Sequence, residues 1–264
     1  MSPGDIVLPS FNLGLVVLSY VIASAGSYAA LMCAGRIRSI DKGPARSAYV
    51  GLAAIALGGI GIWSMHFIGM QAQNFPFLLR FSYLPTWLSL AVSIVFSGVA
   101  FWLVSRSSFS TFNCIFGGLI LGIGVTAMHY LGVFAMRMPA EIIWNFWMVG
   151  LSGAIAIAAS AAALWLAFNV ESEKQRILAA LIMGGAICGM HYVGTAAGTV
   201  VCIRPSPESM SGFGGMSLPY MTFLLSAAVL IAMQWQLRRT SIQYRDALAA
   251  RMDVLIKPKG KPAD

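Results

Sequence analysis

Charged side chains are scarce in this 264-residue chain, at 10% of the residues, whereas hydrophobic residues account for 58%. The mean hydropathy of +0.79 lies well above the range of soluble domains. This composition excludes an ordinary water-soluble globular protein and indicates a membrane protein.

Acidic residues are especially few, and none lies in the apolar core of a long hydrophobic segment. An ionisable group inside a membrane needs a partner, so the lack of carboxylates argues against a proton relay. It also argues against calcium, magnesium or manganese, because these ions prefer oxygen ligands. No constellation of serine, cysteine and carboxylate supports hydrolase or transferase chemistry, and we expect the chain not to be an enzyme.

Seven apolar segments of about 20 residues account for the hydropathy, and this length crosses about 30 Å of hydrocarbon as a helix. They lack the two-residue alternation of membrane β-barrel strands. The segments span residues 10–34, 47–70, 83–104, 112–135, 144–168, 176–199 and 217–237. We predict an all-α polytopic membrane protein with seven transmembrane helices, in which residues 1–237 form the membrane domain and 238–264 form a basic cytoplasmic tail.

Lysine and arginine are unevenly divided between the two sides of these spans. Fourteen lie on one side, and three, Arg80, Arg137 and Arg204, lie on the other. Because cytoplasmic loops hold more basic residues, we expect the N-terminus outside and the C-terminus in the cytoplasm. The net charge of +8 is explained by this asymmetry and by anionic lipid near the tail, so a nucleic-acid partner is not required.

Histidine occurs only three times, and each copy follows a methionine and precedes an aromatic residue. The motifs read WSMHFIGM at 63–70, TAMHYLGV at 126–133 and GMHYVGTA at 189–196. The histidines are 63 and 62 residues apart, which is the length of two spans and two loops. We therefore predict three copies of one helical hairpin plus a seventh helix, with all three histidines at a similar depth in the outer half of the membrane.

A single histidine in a membrane helix is usually a hydrogen-bonded packing residue, but three matched copies favour a shared metal site. Imidazole suits copper, zinc and iron, and thioether sulfur selects copper, especially Cu(I). Haem, which also takes histidine and methionine ligands, remains an alternative. The candidate ligands are His66, His129, His191, Met65, Met128 and Met190, with Met70 and Cys188 as secondary candidates.

The triple motif resembles the MHYT domain, a bacterial integral-membrane sensor module, over roughly residues 10–237. The resemblance implies six core spans plus a seventh in the bacterial inner membrane. It also implies that the motif methionines, histidines and tyrosines bind copper and sense oxygen, carbon monoxide or nitric oxide, which adds Tyr130 and Tyr192 to the candidates. Phe67 stands where tyrosine is expected, so a phenolic hydroxyl is not required in every copy.

Two functions follow from these observations. The first is a membrane sensor that binds copper near the outer face and responds to a diatomic gas or a redox change, passing its signal to a separate cytoplasmic partner. The second is a copper-binding membrane protein for copper transport, delivery or oxidase assembly. Met210 and Met216 would then form a loose metal-accepting site in an outer loop.

Overall fold

The computed structural model describes residues 2–40, 43–106, 110–203, 212–214 and 217–256. Seven helices lie in these ranges. Their bounds are α1 Leu13–Ser39, α2 Pro44–Gln71, α3 Tyr83–Ser105, α4 Thr111–Phe134, α5 Phe146–Asn169, α6 Glu173–Ala196 and α7 Ser217–Ile256.

Helices α1 to α6 are long and apolar enough to cross a membrane, and α7 carries a shorter apolar stretch at Tyr220–Trp235. The predicted all-α polytopic membrane fold is confirmed, and the predicted spans agree with the first six helices to within a few residues. The last helix continues to Ile256, well past the predicted span at 217–237, because good helix formers such as alanine, arginine and leucine follow the apolar stretch.

The first six helices form a closed ring in chain order. Each helix packs against its neighbours in sequence, and α6 packs back against α1. The even-numbered helices α2, α4 and α6 also contact one another, so they approach the centre of the ring, whereas α7 packs outside it against α1 and α2. The three predicted hairpins are therefore arranged around a pseudo-threefold axis.

Short β-strands, which the sequence did not predict, cover one end of the ring, here called the strand face. Eight strands lie in the described ranges: β1 Ile6–Val7, β2 Ser10–Phe11, β3 Gln73–Asn74, β4 Arg80–Phe81, β5 Met136–Arg137, β6 Ala140–Trp144, β7 Gly198–Cys202 and β8 Phe213–Gly214. In each repeat, the strand before the odd helix pairs antiparallel with the strand after the even helix, as β2 with β3, β4 with β5 and β6 with β7.

One further hydrogen bond recurs in every repeat beside these strands. In each repeat, the residue just before the odd helix donates its backbone N–H to the carbonyl oxygen of the alanine just after the even helix. The bonds join Asn12 to Ala72 at 2.8 Å, Ser82 to Ala135 at 2.7 Å and Asn145 to Ala197 at 2.8 Å. Each hairpin is thus closed in the same way at the strand face.

Arginine side chains close the opposite end, here called the basic face. Arg38 donates to the carbonyl oxygens of Phe168 at 2.6 Å and Val170 at 2.9 Å, where α5 ends, and Arg46 donates to the carbonyl of Ser105, where α3 ends. These cations satisfy carbonyl groups that have no partner within their own helix and complement the helix dipole.

The second helix differs from α4 and α6 because Ile55–Ser64 is a π-helix. Such segments are rare and are frequently found at functional sites. His66 lies two residues beyond this π segment, whereas α4 and α6 remain α-helical throughout. A Cβ added at Gly58 would stand 2.5 Å from the backbone oxygen of Ser93, so this glycine lets α2 and α3 approach closely.

Candidate metal centre

The three motif histidines converge at the centre of the ring, on the half of the even helices nearer the strand face. His66 is fully buried, and His129 and His191 each expose 1% of their surface. Their ring centroids are 4.9 Å, 5.0 Å and 5.2 Å apart, and each pair of rings is close to perpendicular. The repeat thus brings together the three residues that the sequence singled out.

A nitrogen of each imidazole ring lies close to a nitrogen of the other two rings. The Nδ1 atoms of His66 and His191 are 3.1 Å apart, and one ligand nitrogen from each of the three rings lies within 4.8 Å of the others. Three nitrogens that bind one ion at about 2.0 Å in a plane are about 3.5 Å from one another. The His66–His191 distance is close to this value, whereas the 4.8 Å limit exceeds it, so the rings would have to draw together to hold one ion.

The opposite nitrogen of each ring, Nε2, packs against the glycine that follows the histidine of another repeat. A Cβ at Gly69 would stand 2.5 Å from Nε2 of His191, and one at Gly194 would stand 2.5 Å from Nε2 of His129. Gly132 faces Nε2 of His66 in the same way. Each histidine therefore packs against a glycine of the next repeat around the axis, and the third repeat packs against the first. The pairs are His66 with Gly132, His129 with Gly194 and His191 with Gly69.

The Nε2 atoms are buried, and His129 and His191 interact with the backbone of the glycines they face, Gly194 and Gly69. A ring whose Nε2–H is turned to a neighbouring backbone presents Nδ1 as its free acceptor. The described ligand group contains three histidines and no carboxylate. Three neutral imidazoles could hold a metal ion such as copper, and copper binding stays a prediction.

The motif methionines are buried but differ in their surroundings. Met65, Met128 and Met190 each expose 2% or less. Met190 lines a small apolar cavity of about 30 Å³ together with Leu121 and Val125 of α4. That position provides core packing, and ligation by these three sulfur atoms stays a prediction.

Met70 occupies a different environment, one helical turn beyond His66 on the same helix face. It is 1% exposed, and its sulfur accepts a hydrogen bond from Nε2 of Gln73 at 3.7 Å. Met70 is the thioether that the geometry places on the histidine face of α2, and its ligation also stays a prediction.

The tyrosine hydroxyls bond to serines of the odd helices. The Tyr130 and Ser152 hydroxyls are 2.7 Å apart, and the Tyr192 and Ser19 hydroxyls are 3.2 Å apart. Each tyrosine ring packs edge-on against its own histidine at a centroid distance of 4.8 Å. The tyrosines thus link the histidines to α5 and α1, and whether they also bind a metal stays a prediction.

The first repeat replaces this link with a different donor. Phe67 packs edge-on against His66 at 4.9 Å and has no hydroxyl. The corresponding serine, Ser89 of α3, instead accepts a hydrogen bond from the indole Nε1 of Trp63 at 3.0 Å. Ser19, Ser89 and Ser152 are all fully buried and each lies six residues after the first residue of its helix. That shared register is the sequence signal that could have identified them.

One other predicted position, Cys188, is not part of the cluster, and two more fall outside the described residues. Cys188 is half-buried, its thiol interacts with Ser19, and it is not part of the group of converging ligand atoms. Met210 and Met216, which were predicted to accept copper in an outer loop, lie outside the described residues, as does Arg204.

Comparison with known proteins places this arrangement in a family of signalling proteins. The family described as the bacterial signalling protein N-terminal repeat, MHYT, matches residues 59–117 and 122–180. Each matched range contains one histidine motif, and the third motif follows them. No solved structure matches the chain.

Several curated proteins are similar to the chain. The bifunctional diguanylate cyclase/cyclic di-GMP phosphodiesterase MucR of Pseudomonas aeruginosa is 41% identical over 196 residues, which cover 72% of this chain and 28% of MucR. The cyclic di-GMP phosphodiesterase NbdA of the same organism is 29% identical over 86% of this chain and 29% of NbdA. The signaling protein YkoW of Bacillus subtilis is 30% identical over 72% of this chain and 24% of YkoW.

The chain therefore spans less than a third of the length of these relatives. The tandem repeat, the three histidine motifs and the similarity to membrane signalling proteins agree with one another. As its sequence motifs predicted, the chain belongs to the MHYT family.

Proposed function

We propose that this chain is a membrane sensor that holds one copper ion on His66, His129 and His191 and responds to a diatomic gas or to a change in redox state. The observation that supports this proposal is the convergence of three buried imidazoles that each bring one ring nitrogen within 4.8 Å of the others. The MHYT signalling relatives support the sensor role in signal transduction.

Copper, in its reduced form, is the ion that this environment favours. The cluster provides neutral nitrogen ligands without a carboxylate, and burying charge in a medium of low dielectric is costly. A monovalent ion is therefore favoured over a divalent one. The thioether of Met70 on the same face adds a soft donor that favours Cu(I). Ring centroids about 5 Å apart support a single ion in preference to a haem between the rings.

The direction of signalling follows from charge and from the relatives. We place the strand face outside and the basic face in the cytoplasm of a bacterial cell, because most lysines and arginines lie toward the basic face. Oxygen, carbon monoxide and nitric oxide are small and apolar, so they reach the centre through lipid. The membrane region itself carries no catalytic chemistry, and its helices pass a shift to a cytoplasmic partner, as the cyclic di-GMP activities of MucR and NbdA suggest.

Metal analysis by mass spectrometry tests the proposal directly. The purified protein in detergent, incubated with Cu(I) under anaerobic conditions and desalted, is expected to retain stoichiometric copper. His129→Ala is expected to lose it, because two imidazoles remain and one ligand position is empty. Thr126→Val is the matched control, since it removes a polar group three residues before His129 on the same helix, and Thr126 is not a candidate ligand.

Each result has a definite meaning. Copper in the parent and in Thr126→Val, but not in His129→Ala, supports the site and justifies titration with carbon monoxide and nitric oxide. A parent protein that keeps its helical circular dichroism yet retains no copper would make the histidines packing residues and refute the metal proposal.

A further inference from the structure

A large apolar cavity lies at the strand face, above the histidine cluster. Its volume of about 730 Å³ is in the range of small-molecule sites. Its walls include Phe11, Val16, Trp144 and Val200, and none of the three histidines lines it. The cavity is therefore distinct from the candidate metal centre, although it lies next to it.

The innermost wall of the cavity follows the threefold repeat. Met70, Val133 and Thr195 all line the cavity, and each lies four residues after the histidine of its own helix. A residue four positions further along lies on the same helix face, about 6 Å along the axis. These three residues form the barrier layer, one residue thick, between the cavity and the histidines.

The barrier layer is closed, and its one side-chain hydrogen bond among the described residues is the weak bond from Gln73 to the Met70 sulfur. Met70 and Val133 expose 1% and 4% of their surface. The Thr195 hydroxyl is buried and has no hydrogen-bond partner among the described residues. Side-chain rotamers change on the picosecond to nanosecond scale where packing permits, and the adjacent cavity gives these side chains room to move.

The mouth of the cavity is apolar as well. Leu8, between β1 and β2, and Leu13, the first residue of α1, line the cavity and are 87% and 75% exposed. A hydrated ion would lose its water there without finding ligands in compensation. A small apolar solute in the bilayer would partition into such a cavity, since apolar cavities of proteins take up xenon and benzene.

We propose that this cavity is the access chamber through which small apolar molecules dissolved in the bilayer reach the histidines, crossing the barrier layer of Met70, Val133 and Thr195. The biological use of the chamber rests on the proposed function, because it supplies the route for the gas. The physical claim, that apolar solutes reach the imidazoles from the strand face, stands on the cavity alone.

Paramagnetic relaxation by dissolved oxygen tests this claim without any metal. The chain has three histidines, so histidine labelled with ¹³C gives three imidazole signals from the metal-free protein in lipid nanodiscs. Under oxygen pressure, relaxation of these signals is expected to increase. Val133→Phe fills the barrier layer toward the cavity and is expected to lower the oxygen contribution several-fold, whereas Val133→Ala is expected to raise it.

Val17→Phe is the matched control, because Val17 is 60% exposed beside Val16 and does not line the cavity. It is expected to leave the oxygen contribution unchanged. Equal oxygen contributions in the parent, Val133→Phe and Val133→Ala would overturn the proposal. A lipid or quinone bound stoichiometrically in the chamber, detected by native mass spectrometry, would also overturn it.

A second measurement separates this proposal from the metal assignment. If the copper-loaded protein binds carbon monoxide, the association rate constant is expected to fall several-fold in Val133→Phe while the optical spectrum of the complex stays the same. A protein that binds no copper but shows the oxygen effect refutes the metal proposal and supports the chamber. A protein that binds copper, and binds carbon monoxide at the same rate in the parent and in Val133→Phe, supports the metal proposal and refutes the chamber.

Discussion

The first repeat and the other two reach the same centre by different local structures. In α4 and α6, an uninterrupted α-helix carries each histidine 18 residues beyond its first residue. In α2 the distance is 22 residues, and the π segment Ile55–Ser64 lies between. Yet the His66 ring stands 4.9 Å and 5.0 Å from the other two rings. The first even helix therefore begins about one turn earlier and contains a π segment, yet its histidine reaches the same centre.

The first repeat also has a neighbour that the other repeats lack. Helix α7 packs against α1 and α2, and Ser226 donates a hydrogen bond to Ser64 at 2.8 Å, at the end of the π segment. Ser64 in turn donates to the carbonyl of Gly59 at 2.9 Å. The histidine rings and their glycine contacts are thus the same in all three repeats, whereas the helical backbone that leads to them differs in the first.

The largest expected effect comes from the glycines that are common to all three repeats. Gly132→Ala would push a methyl group into Nε2 of His66, so the ring must move away from the axis. We expect a loss of about 1–3 kcal/mol in unfolding free energy, as for other overpacked cores. We also expect loss of copper retention. Gly69→Ala and Gly194→Ala are expected to act alike, because their contacts are the same.

Gly189→Ala provides the control on the helix of His191, since no atom lies within 4 Å of the added Cβ. It is expected to keep the metal and to raise stability slightly, because alanine is the better helix former. Thermal unfolding in detergent and metal analysis measure both effects. If only one of the three Gly→Ala variants lost stability and copper, the three repeats would not contribute equally to the centre.

An intermediate effect is expected where the first repeat departs from the others. Trp63→Phe removes a donor to Ser89, and Phe67→Tyr introduces a buried hydroxyl whose counterpart serine is already occupied. Each change is expected to destabilise the protein by about 1–2 kcal/mol, the cost of an unmade buried hydrogen bond.

The double variant should recover part of this loss, because the hydroxyl introduced by Phe67→Tyr could then bond to Ser89 as Tyr130 bonds to Ser152. A coupling of about 1 kcal/mol in favour of the double variant is the expected result of this cycle. Purely additive losses, measured by denaturant or thermal unfolding, would show that the first repeat cannot be converted to the pattern of the others by side chains alone.

The smallest effect is expected from the tyrosine hydroxyls. In Tyr130→Phe, Ser152 still donates to the carbonyl of Val149 at 2.8 Å, so the buried serine keeps one partner. We expect a loss of about 0.5–1.5 kcal/mol and unchanged copper retention. Tyr192→Phe should behave in the same way, because Ser19 donates to Val16. Loss of copper in either variant would instead make that phenol a ligand.

Much of this architecture could be predicted from the sequence because it depends on hydropathy and repetition. The first six spans were located to within a few residues, since long apolar runs without charge can satisfy their backbone in lipid only as helices. The convergence of His66, His129 and His191 followed from their equal spacing, which places them at one depth in three equivalent hairpins.

Other features left no signal that single-sequence reasoning could use. A π segment cannot be distinguished from an α-helix in an apolar stretch such as IALGGIGIWS, because both lack a polar face to reveal their period. Strands of two residues, such as β3 and β4, are too short for an alternating pattern. Which nitrogen of each imidazole faces the other rings depends on the side-chain rotamer. The contacts of the Nε2 atoms with Gly69, Gly132 and Gly194 restrict that rotamer, and they exist only in the folded ring.

The closure of the ring has a consequence for the origin of the fold. Residues near the N-terminus return to the end of the third repeat, where the Gly4 N–H donates to Cys202 and the Cys202 N–H donates to Asp5, both at 2.9 Å. The first hairpin thus begins where the third one ends, and β1 pairs with β7 across this seam. A single ancestral hairpin, assembled as a homotrimer, would form the same centre by symmetry. Fusion of its copies into one chain would let one of them acquire a π segment and a seventh helix while the other two stayed unchanged.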